Sequence, residues 1–155
     1  MNKLYTFFAT GFYSGLAPKA PGTAGSLFAA ILLGLAAYSI PDWVNTYSLI
    51  AVILLFFFIG VIAANQLEDT LGKDPGCIVI DEFVGMWITL LFLPINWMTL
   101  LIGFALFRFF DILKPLFIGT IDQKVKGGLG VMLDDVLAGV YANICLQAIV
   151  WYLVQ

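Results

Sequence analysis

Residues 78–115 read IVIDEFVGMWITLLFLPINWMTLLIGFALFRFFDILKP, and the predicted topology depends on how this segment crosses the membrane. An uncharged run, 83–107, separates an acidic pair at its start from Arg108 at its end, and Pro94 interrupts the run near its middle. Two interpretations are open: one helix kinked at Pro94, or two shorter helices that fold back at the Pro-Ile-Asn-Trp turn of residues 94–97. Only the fold-back brings the acidic and basic ends together.

The composition is typical of a membrane protein. Of 155 residues, 62% are hydrophobic and only 11% are charged, with a mean hydropathy of +1.02, whereas soluble domains carry roughly 25% charged residues. A soluble protein could not cover its surface with so few polar side chains. The length favours one membrane-embedded domain, 1–155, and the net charge of −3 supports neither a nucleic-acid partner nor a polybasic lipid clamp.

Uncharged stretches give the expected helices. A transmembrane helix needs about 20 apolar residues, and such stretches are 20–41, 43–67, 83–107 and 136–155. We expect spanning helices at 22–40 and 46–67, and a last helix that begins just after Asp134-Asp135.

The basic residues favour the fold-back. If 83–107 is a hairpin, all of them share one side of the membrane, which the positive-inside rule makes the cytoplasmic side; they are Lys3, Lys19, Lys73, Arg108, Lys114, Lys124 and Lys126. A single span would divide them between two sides. The predicted fold is therefore an all-α polytopic membrane bundle of about five membrane helices, with hairpin arms at 76–93 and 97–114 of about 27 Å each.

Asp81 and Glu82 are the first candidate functional residues. An ionisable side chain at membrane depth is costly and indicates function by default; the alternative is an acidic helix start stabilised by the helix dipole. Because a helix turns about 100° per residue, we expect these neighbours to serve different partners.

Arg108, Asp111 and Lys114 are spaced by three, which predicts that they lie along one helix face. As functional groups, Arg108 and Lys114 would hold a phosphate while Asp111 orients one of them or binds a cation. The alternative is an ion-pair ladder at a helix end, worth under about 1 kcal/mol.

Two glycine-rich segments precede helices. Gly127-Gly128-Leu129-Gly130 is followed by Asp134-Asp135, a carboxylate pair that suits Mg²⁺ better than Zn²⁺ because only oxygen ligands are on offer; a flexible loop with a helix cap is the alternative. Residues 18–26, PKAPGTAGS, could bind an anion through Thr23, Ser26 and exposed helix N–H groups. A helix cap with close packing explains the second segment about as well.

The chain contains no histidine, which excludes histidine-dependent phosphatases and the commonest zinc ligand. A transporter would need polar residues along a path across the bilayer, and the middle of each predicted span is nearly bare. A scaffold subunit would leave the Asp-Glu and Asp-Asp pairs unexplained.

Four strings in one order, SGLAPKAPGTAGS, IVIDEFVGMWITL, FRFFDILKP and GGLGVMLDDVLAG, resemble the phosphatidylglycerophosphatase A family. The resemblance implies Mg²⁺-dependent hydrolysis of the phosphate monoester of phosphatidylglycerophosphate, a phospholipid substrate, at the cytoplasmic face of a bacterial-type inner membrane. Another Mg²⁺-dependent lipid-phosphate phosphatase is the alternative activity.

Residues and resemblance together give an expected division of roles. Phosphate-monoester hydrolysis is among the slowest uncatalysed reactions, so a metal and cationic groups are needed. The expected metal ligands are Asp81, Glu82, Asp134 and Asp135, and the expected phosphate-binding residues are Thr23, Ser26, Arg108 and Lys114. The expected catalytic residues are Asp81, Asp111, Arg108 and Lys114. Asp111 could orient Arg108, act as general base, or be a nucleophile that forms an aspartyl-phosphate.

Overall fold

The computed structural model describes residues 3–72 and 75–154, except for the side chains of residues 122 and 154. Lys73, which contributes to the orientation argument, lies outside the described residues. Within those ranges all regular structure is helical, which confirms the predicted all-α class. The helices are α1 (Lys3–Ala9), a 3-10 turn (Ser14–Leu16), α2 (Pro21–Ser39), α3 (Thr46–Leu71), α4 (Ile80–Thr89), α5 (Trp97–Leu113), α6 (Ile118–Lys124) and α7 (Gly128–Val154).

Three helices in the described part of the chain, α2, α3 and α7, are long and apolar enough to cross a membrane. The expected spans at 22–40 and 46–67 correspond to α2 and α3, and α3 continues to Leu71. The predicted count of five membrane helices is not confirmed, because α4 has only 10 residues and α5 has 17. At 1.5 Å per residue, α4 is about 15 Å long, roughly half the hydrocarbon thickness.

The chain folds back between α4 and α5, as the charges predict. It leaves α4 at Thr89, and α5 begins after Asn96, whose side chain accepts hydrogen bonds from the backbone N–H groups of Met98 and Thr99 at 3.0 and 3.1 Å. The two ends of the hairpin meet where Arg108 Nη1 lies 3.4 Å from Glu82 Oε1. The fold-back is confirmed, but its first arm is much shorter than the predicted 76–93.

The end of α4 lies inside the bundle, where its carbonyl groups need partners. The side-chain amide of Asn143, on α7, donates to the carbonyl oxygens of Thr89 and Leu91 at 3.0 and 2.8 Å. The Thr89 hydroxyl donates to the Gly85 carbonyl at 2.9 Å. Because an unsatisfied backbone group in an apolar interior costs several kcal/mol, these bonds explain how a short helix can end at this depth.

Helices α4 and α7 approach each other closely at Gly85 and Gly139. A Cβ atom on Gly139 would overlap the backbone of Gly85, and one on Gly85 would lie 2.7 Å from the carbonyl oxygen of Asp135. Any larger residue at either position would push the helices apart. The pair therefore allows the acidic start of α4 to lie against the acidic turn of α7.

Helix α7 begins at Gly128, so the prediction that it starts just after Asp134-Asp135 is wrong. The physical reason is a cap from another helix: the side-chain oxygen of Asn65, on α3, accepts a hydrogen bond from the Gly128 N–H at 2.7 Å. Such caps satisfy a backbone donor that the first helical turn leaves unpaired. Both acids therefore lie on the body of a helix anchored at its start by α3.

Candidate active site

Three carboxylates converge where α4 meets α7. Asp81 and Glu82 come from the first turn of α4 and Asp135 comes from α7, and one oxygen of each lies within 4.8 Å of the others. Glu82 and Asp135 are 8% and 3% exposed. We call Asp81, Glu82 and Asp135 the acidic cluster.

Two oxygens of the acidic cluster have no hydrogen-bond partner although they are buried: Glu82 Oε2 and Asp135 Oδ2. Burying an unpaired carboxylate oxygen is costly, and three neighbouring carboxylates repel one another. A hard divalent cation would relieve both costs, because such cations bind carboxylate oxygens. The all-oxygen donor set fits Mg²⁺ better than Zn²⁺.

The expectation that Asp81 and Glu82 serve different partners is only partly correct. Both contribute an oxygen to the acidic cluster. In addition, Glu82 Oε1 lies 3.4 Å from Arg108 Nη1, so Glu82 connects the acidic cluster to the guanidinium of Arg108. The long side chain of Glu82 reaches both partners in spite of the 100° turn between neighbours.

Arg108 is held by side chains from three helices. Its Nη1 lies 2.6 Å from Asp111 Oδ2, one turn further along α5, and donates to Ser26 Oγ of α2 at 3.3 Å. Its third partner is Glu82. The Nε of Arg108 is buried and has no hydrogen-bond partner, so the guanidinium has donor capacity left over. Arg108 and Asp111 share one face of α5, as their spacing predicts, but the expectation that Lys114 continues that face is wrong because α5 ends at Leu113.

Lys114 and Asp134 form a second ion pair beside the acidic cluster. Helix α5 ends at Leu113, and Lys114 is its C-cap, in the left-handed region with φ 44°. From there Lys114 Nζ pairs with Asp134 Oδ2 at 2.6 Å, while Asp134 Oδ1 accepts from the Asp135 N–H. Of the four expected metal ligands, the structure therefore groups three, and it places Asp134 against Lys114.

The glycine-rich start of α2 packs against Glu82. A Cβ atom on Gly22 would overlap Glu82 Oε1, and one on Gly25 would lie 3.2 Å from Glu82 Oε2. Ser26, also in this segment, donates to the Gly22 carbonyl at 2.8 Å, and Thr23 is half-buried nearby. The sequence interpretation of residues 18–26 as an anion site missed this role of the glycines, since only the fold shows that Glu82 occupies the space.

Asn65, Gly85, Gly139 and Asn143 were also missed as residues that shape the site. The positions of Gly85 and Gly139 in the sequence do not indicate which helix packs on them. The one indication in the sequence was Asn143, a polar residue within an apolar run. A polar side chain within a membrane helix is costly unless it has a partner. That rule alone would have identified Asn143 as a residue that needs a hydrogen-bond partner.

Comparison with known proteins gives consistent results. The family model described as Phosphatidylglycerophosphatase A matches residues 7–150. A phosphatidylglycerophosphatase A of Escherichia coli K12 is 46% identical over 142 residues, covering 90% of this chain and 80% of the relative. Another, from Haemophilus influenzae, is 43% identical over 147 residues, covering 94% and 88%.

A further relative, from Bacteroides thetaiotaomicron, is provisionally named a phosphatidylinositol-3-phosphatase. It is 48% identical over 145 residues, covering 92% of this chain and 91% of the relative. No solved structure is significantly similar to this chain. Because the family match extends over nearly the whole chain, and these relatives align along nearly all of it, the chain belongs to the phosphatidylglycerophosphatase A family.

Proposed function

We propose that this protein hydrolyses the phosphate monoester of phosphatidylglycerophosphate, giving phosphatidylglycerol and inorganic phosphate, with Mg²⁺ bound at the acidic cluster. Family membership and the two phosphatidylglycerophosphatase relatives support the reaction, which belongs to phospholipid biosynthesis. The observation that carries the site is the convergence of three carboxylates, two of them with an unpaired buried oxygen, beside Arg108.

The metal ligands in this proposal are Asp81, Glu82 and Asp135, and Asp134 contributes through water or by holding Lys114. Bound Mg²⁺ would supply positive charge for the phosphoryl oxygens and lower the pKa of a coordinated water. The chain's own contribution is a set of oxygen ligands fixed by the contact of α4 with α7.

Arg108 neutralises charge on the transferring phosphoryl group. Asp111 and Ser26 hold its guanidinium, and the unpaired Nε leaves a donor for a phosphate oxygen. Donors fixed in advance around developing negative charge need little reorganisation during the reaction. Lys114, held by Asp134, provides a second cation, and Thr23 lies on the half-buried first turn of α2, where helix N–H groups favour an anion.

Asp111 acts in this proposal by orienting Arg108, because their 2.6 Å contact already engages one of its carboxylate oxygens. General base and nucleophile are the competing roles. Acid-quench trapping of a labelled phosphate separates them: we expect no trapped label, and a covalent aspartyl-phosphate would overturn the orienting role.

The whole chain, 1–155, would form one multi-pass domain in a bacterial-type inner membrane with the site at the cytoplasmic face. The three long apolar helices support membrane insertion, and the clustering of basic residues near the site supports this orientation by the positive-inside rule. The acyl chains of the substrate would then stay in the bilayer while its head group meets the site at the interface.

The test is phosphate release from phosphatidylglycerophosphate by the purified full chain in detergent, with Mg²⁺ or with a chelator. We expect release only with Mg²⁺, and a loss on the order of 10²-fold or more for Asp81→Asn and Asp135→Asn. Asp42→Asn, in the exposed turn between α2 and α3, is the matched control and should behave like the unaltered protein. Near-normal activity in both site variants would remove the metal-site proposal.

A second substrate is favoured by one comparison, the relative provisionally named a phosphatidylinositol-3-phosphatase. Phosphate release from phosphatidylinositol 3-phosphate, measured beside phosphatidylglycerophosphate under the same conditions, separates the two. We expect a higher kcat/KM for phosphatidylglycerophosphate, and the reverse order would reassign the substrate while leaving the site unchanged.

A further inference from the structure

We propose that Asn143 is a positioning residue: it sets the axial register of α4 on α7, and through that register the geometry of the acidic cluster. The proposal deepens the proposed function and rests on it for the role of the cluster. Asn143 contacts none of the three carboxylates in a hydrogen bond, and its side chain lies at the opposite end of α4.

Three residues of α7 that contact α4 are spaced by four positions: Asp135, Gly139 and Asn143. Residues four apart lie one above the other on a helix. Asp135 joins the acidic cluster, Gly139 packs on the backbone of Gly85, and Asn143 binds the end of α4. A single stripe therefore connects the acidic cluster to the terminus of α4.

The middle of this stripe constrains the axial position only weakly. At Gly85 and Gly139 the two backbones meet directly, and the Phe107 ring of α5 packs against Gly85. The side-chain hydrogen bond that crosses from α4 to α7 there is long, from the Thr89 hydroxyl to the Gly139 carbonyl oxygen at 3.5 Å. The close approach determines the distance between the helices, and shorter hydrogen bonds further along α7 hold their register.

Asn143 provides that constraint. Its amide nitrogen donates to two carbonyls, of Thr89 and Leu91, while its side-chain oxygen accepts from Gln147 at 2.7 Å. The orientation of the amide is thus fixed from both sides. A slide of α4 by one residue, about 1.5 Å, would lengthen or misalign both bonds beyond normal hydrogen-bond geometry.

The constraint acts on the acidic cluster because α4 is short and continuous. Thr89 and Asp81 lie on the same unbroken helix, about 12 Å apart along its axis at 1.5 Å per residue. A displacement at Thr89 therefore carries Asp81 and Glu82 with it relative to Asp135. A misplacement of about 1 Å caused by a substitution far from the chemistry can lower a rate by about 10²-fold.

The test compares Asn143→Leu with Leu146→Ala in the detergent-solubilised full chain. Leu146 is fully buried on the same helix, so its truncation destabilises the bundle without touching the carbonyls of α4.

The readouts are direct Mn²⁺ binding by electron paramagnetic resonance and the separate kcat and KM for phosphatidylglycerophosphate. We expect Asn143→Leu to weaken Mn²⁺ binding and lower kcat by about tenfold or more with little change in KM. Leu146→Ala should lower only the unfolding temperature.

Asn143→Ser keeps one hydroxyl donor and covers the case in which the leucine variant does not fold; it should bind Mn²⁺ with intermediate affinity. Mn²⁺ binding by both Asn143 variants as tight as in the unaltered protein overturns the proposal, as does the same loss in Leu146→Ala. An unaltered protein that binds no Mn²⁺ also overturns it. An unaltered protein that binds Mn²⁺ but releases no phosphate from phosphatidylglycerophosphate instead overturns the proposed substrate.

Discussion

In the described part of the chain, the consecutive helices α2 and α3 differ from α4 in what surrounds them. Helices α2 and α3 are long, and many of their large apolar side chains face outward, among them Leu35, Leu54 and Phe58. Helix α4 has 10 residues, and all of them except Asp81 and Ile88 are buried by neighbouring helices. The outer faces of α2 and α3 are apolar enough to lie in lipid, whereas α4 is enclosed by protein.

This difference in surroundings explains why charged side chains lie on α4 and on the helices that enclose it. A lipid-facing helix has no partner for a carboxylate or an unpaired carbonyl, so such a helix must be long, apolar and internally hydrogen-bonded. A helix enclosed by protein can be short and charged, because other helices supply the partners: Arg108 for Glu82 and Asn143 for the end of α4. The enclosed helix α4 is therefore the place where charged side chains gather.

The largest expected effect comes from removing the guanidinium of Arg108, which α5 places beside α4. Arg108→Gln should lower kcat by about 10³-fold or more, because arginines that stabilise phosphoryl transfer contribute that much. Arg108→Lys keeps a charge but loses the planar fork and should still be strongly impaired. The measurement is phosphate release, with Lys124→Gln, an exposed basic residue on α6, as the control. Comparable losses in all three variants would contradict a specific role for Arg108.

The next effect compares a glycine of α7 that packs on α4 with a glycine of α2. Gly139→Ala adds a methyl group against the backbone of Gly85 and should destabilise the fold by about 1–3 kcal/mol, with loss of phosphate release. Gly34→Ala, on α2, meets only the flexible end of Leu100 at 3.0 Å and gains helix propensity, so its net change should be small. Thermal unfolding in detergent checks both variants. Equal effects would show that α4 and α7 are no more tightly packed at Gly139 than α2 and α5 are at Gly34.

The smallest effect compares two helix caps. Asn65→Ala and Asn45→Ala each remove an acceptor for helix N–H groups, and each should cost about 1 kcal/mol of stability. Only Asn65 caps α7, the helix that carries Asp135, so only its variant should also lower phosphate release, by a few-fold. If Asn45→Ala lowers activity to the same extent, the start of α7 has no special link to the site.

Several features of the fold follow from the sequence alone. The lengths of the apolar runs predict α2 and α3 nearly to their ends, since a membrane span depends on composition and length. The one-sided basic residues predict the fold-back at 94–97, which the contact of Arg108 with Glu82 confirms. The spacing of Arg108 and Asp111 predicts that they share one helix face, and their 2.6 Å contact agrees, because a three-residue interval is a local property of a helix.

Other features depend on contacts between distant segments. Helix α4 ends at Thr89 because the Asn143 amide donates hydrogen bonds to the carbonyl oxygens of Thr89 and, just beyond it, Leu91. Helix α7 begins at Gly128 because Asn65 caps it. Gly22 and Gly25 are needed because Glu82 occupies the space beside them. No local pattern encodes these partners, which lie far apart in the chain.

Composition and charge placement are enough to predict an all-helical membrane protein with nearly all its ionisable residues at one face, because both respond directly to the bilayer. Which carboxylates meet depends on the packing of distant helices: Asp135 joins Asp81 and Glu82, while Asp134 pairs with Lys114. Neighbours in sequence diverge around a helix, so the choice between Asp134 and Asp135 depends on how α7 is rotated against α4. Packing at Gly85 and Gly139 sets that rotation. Because the two glycines lie in different segments of the chain, neither segment determines the rotation alone.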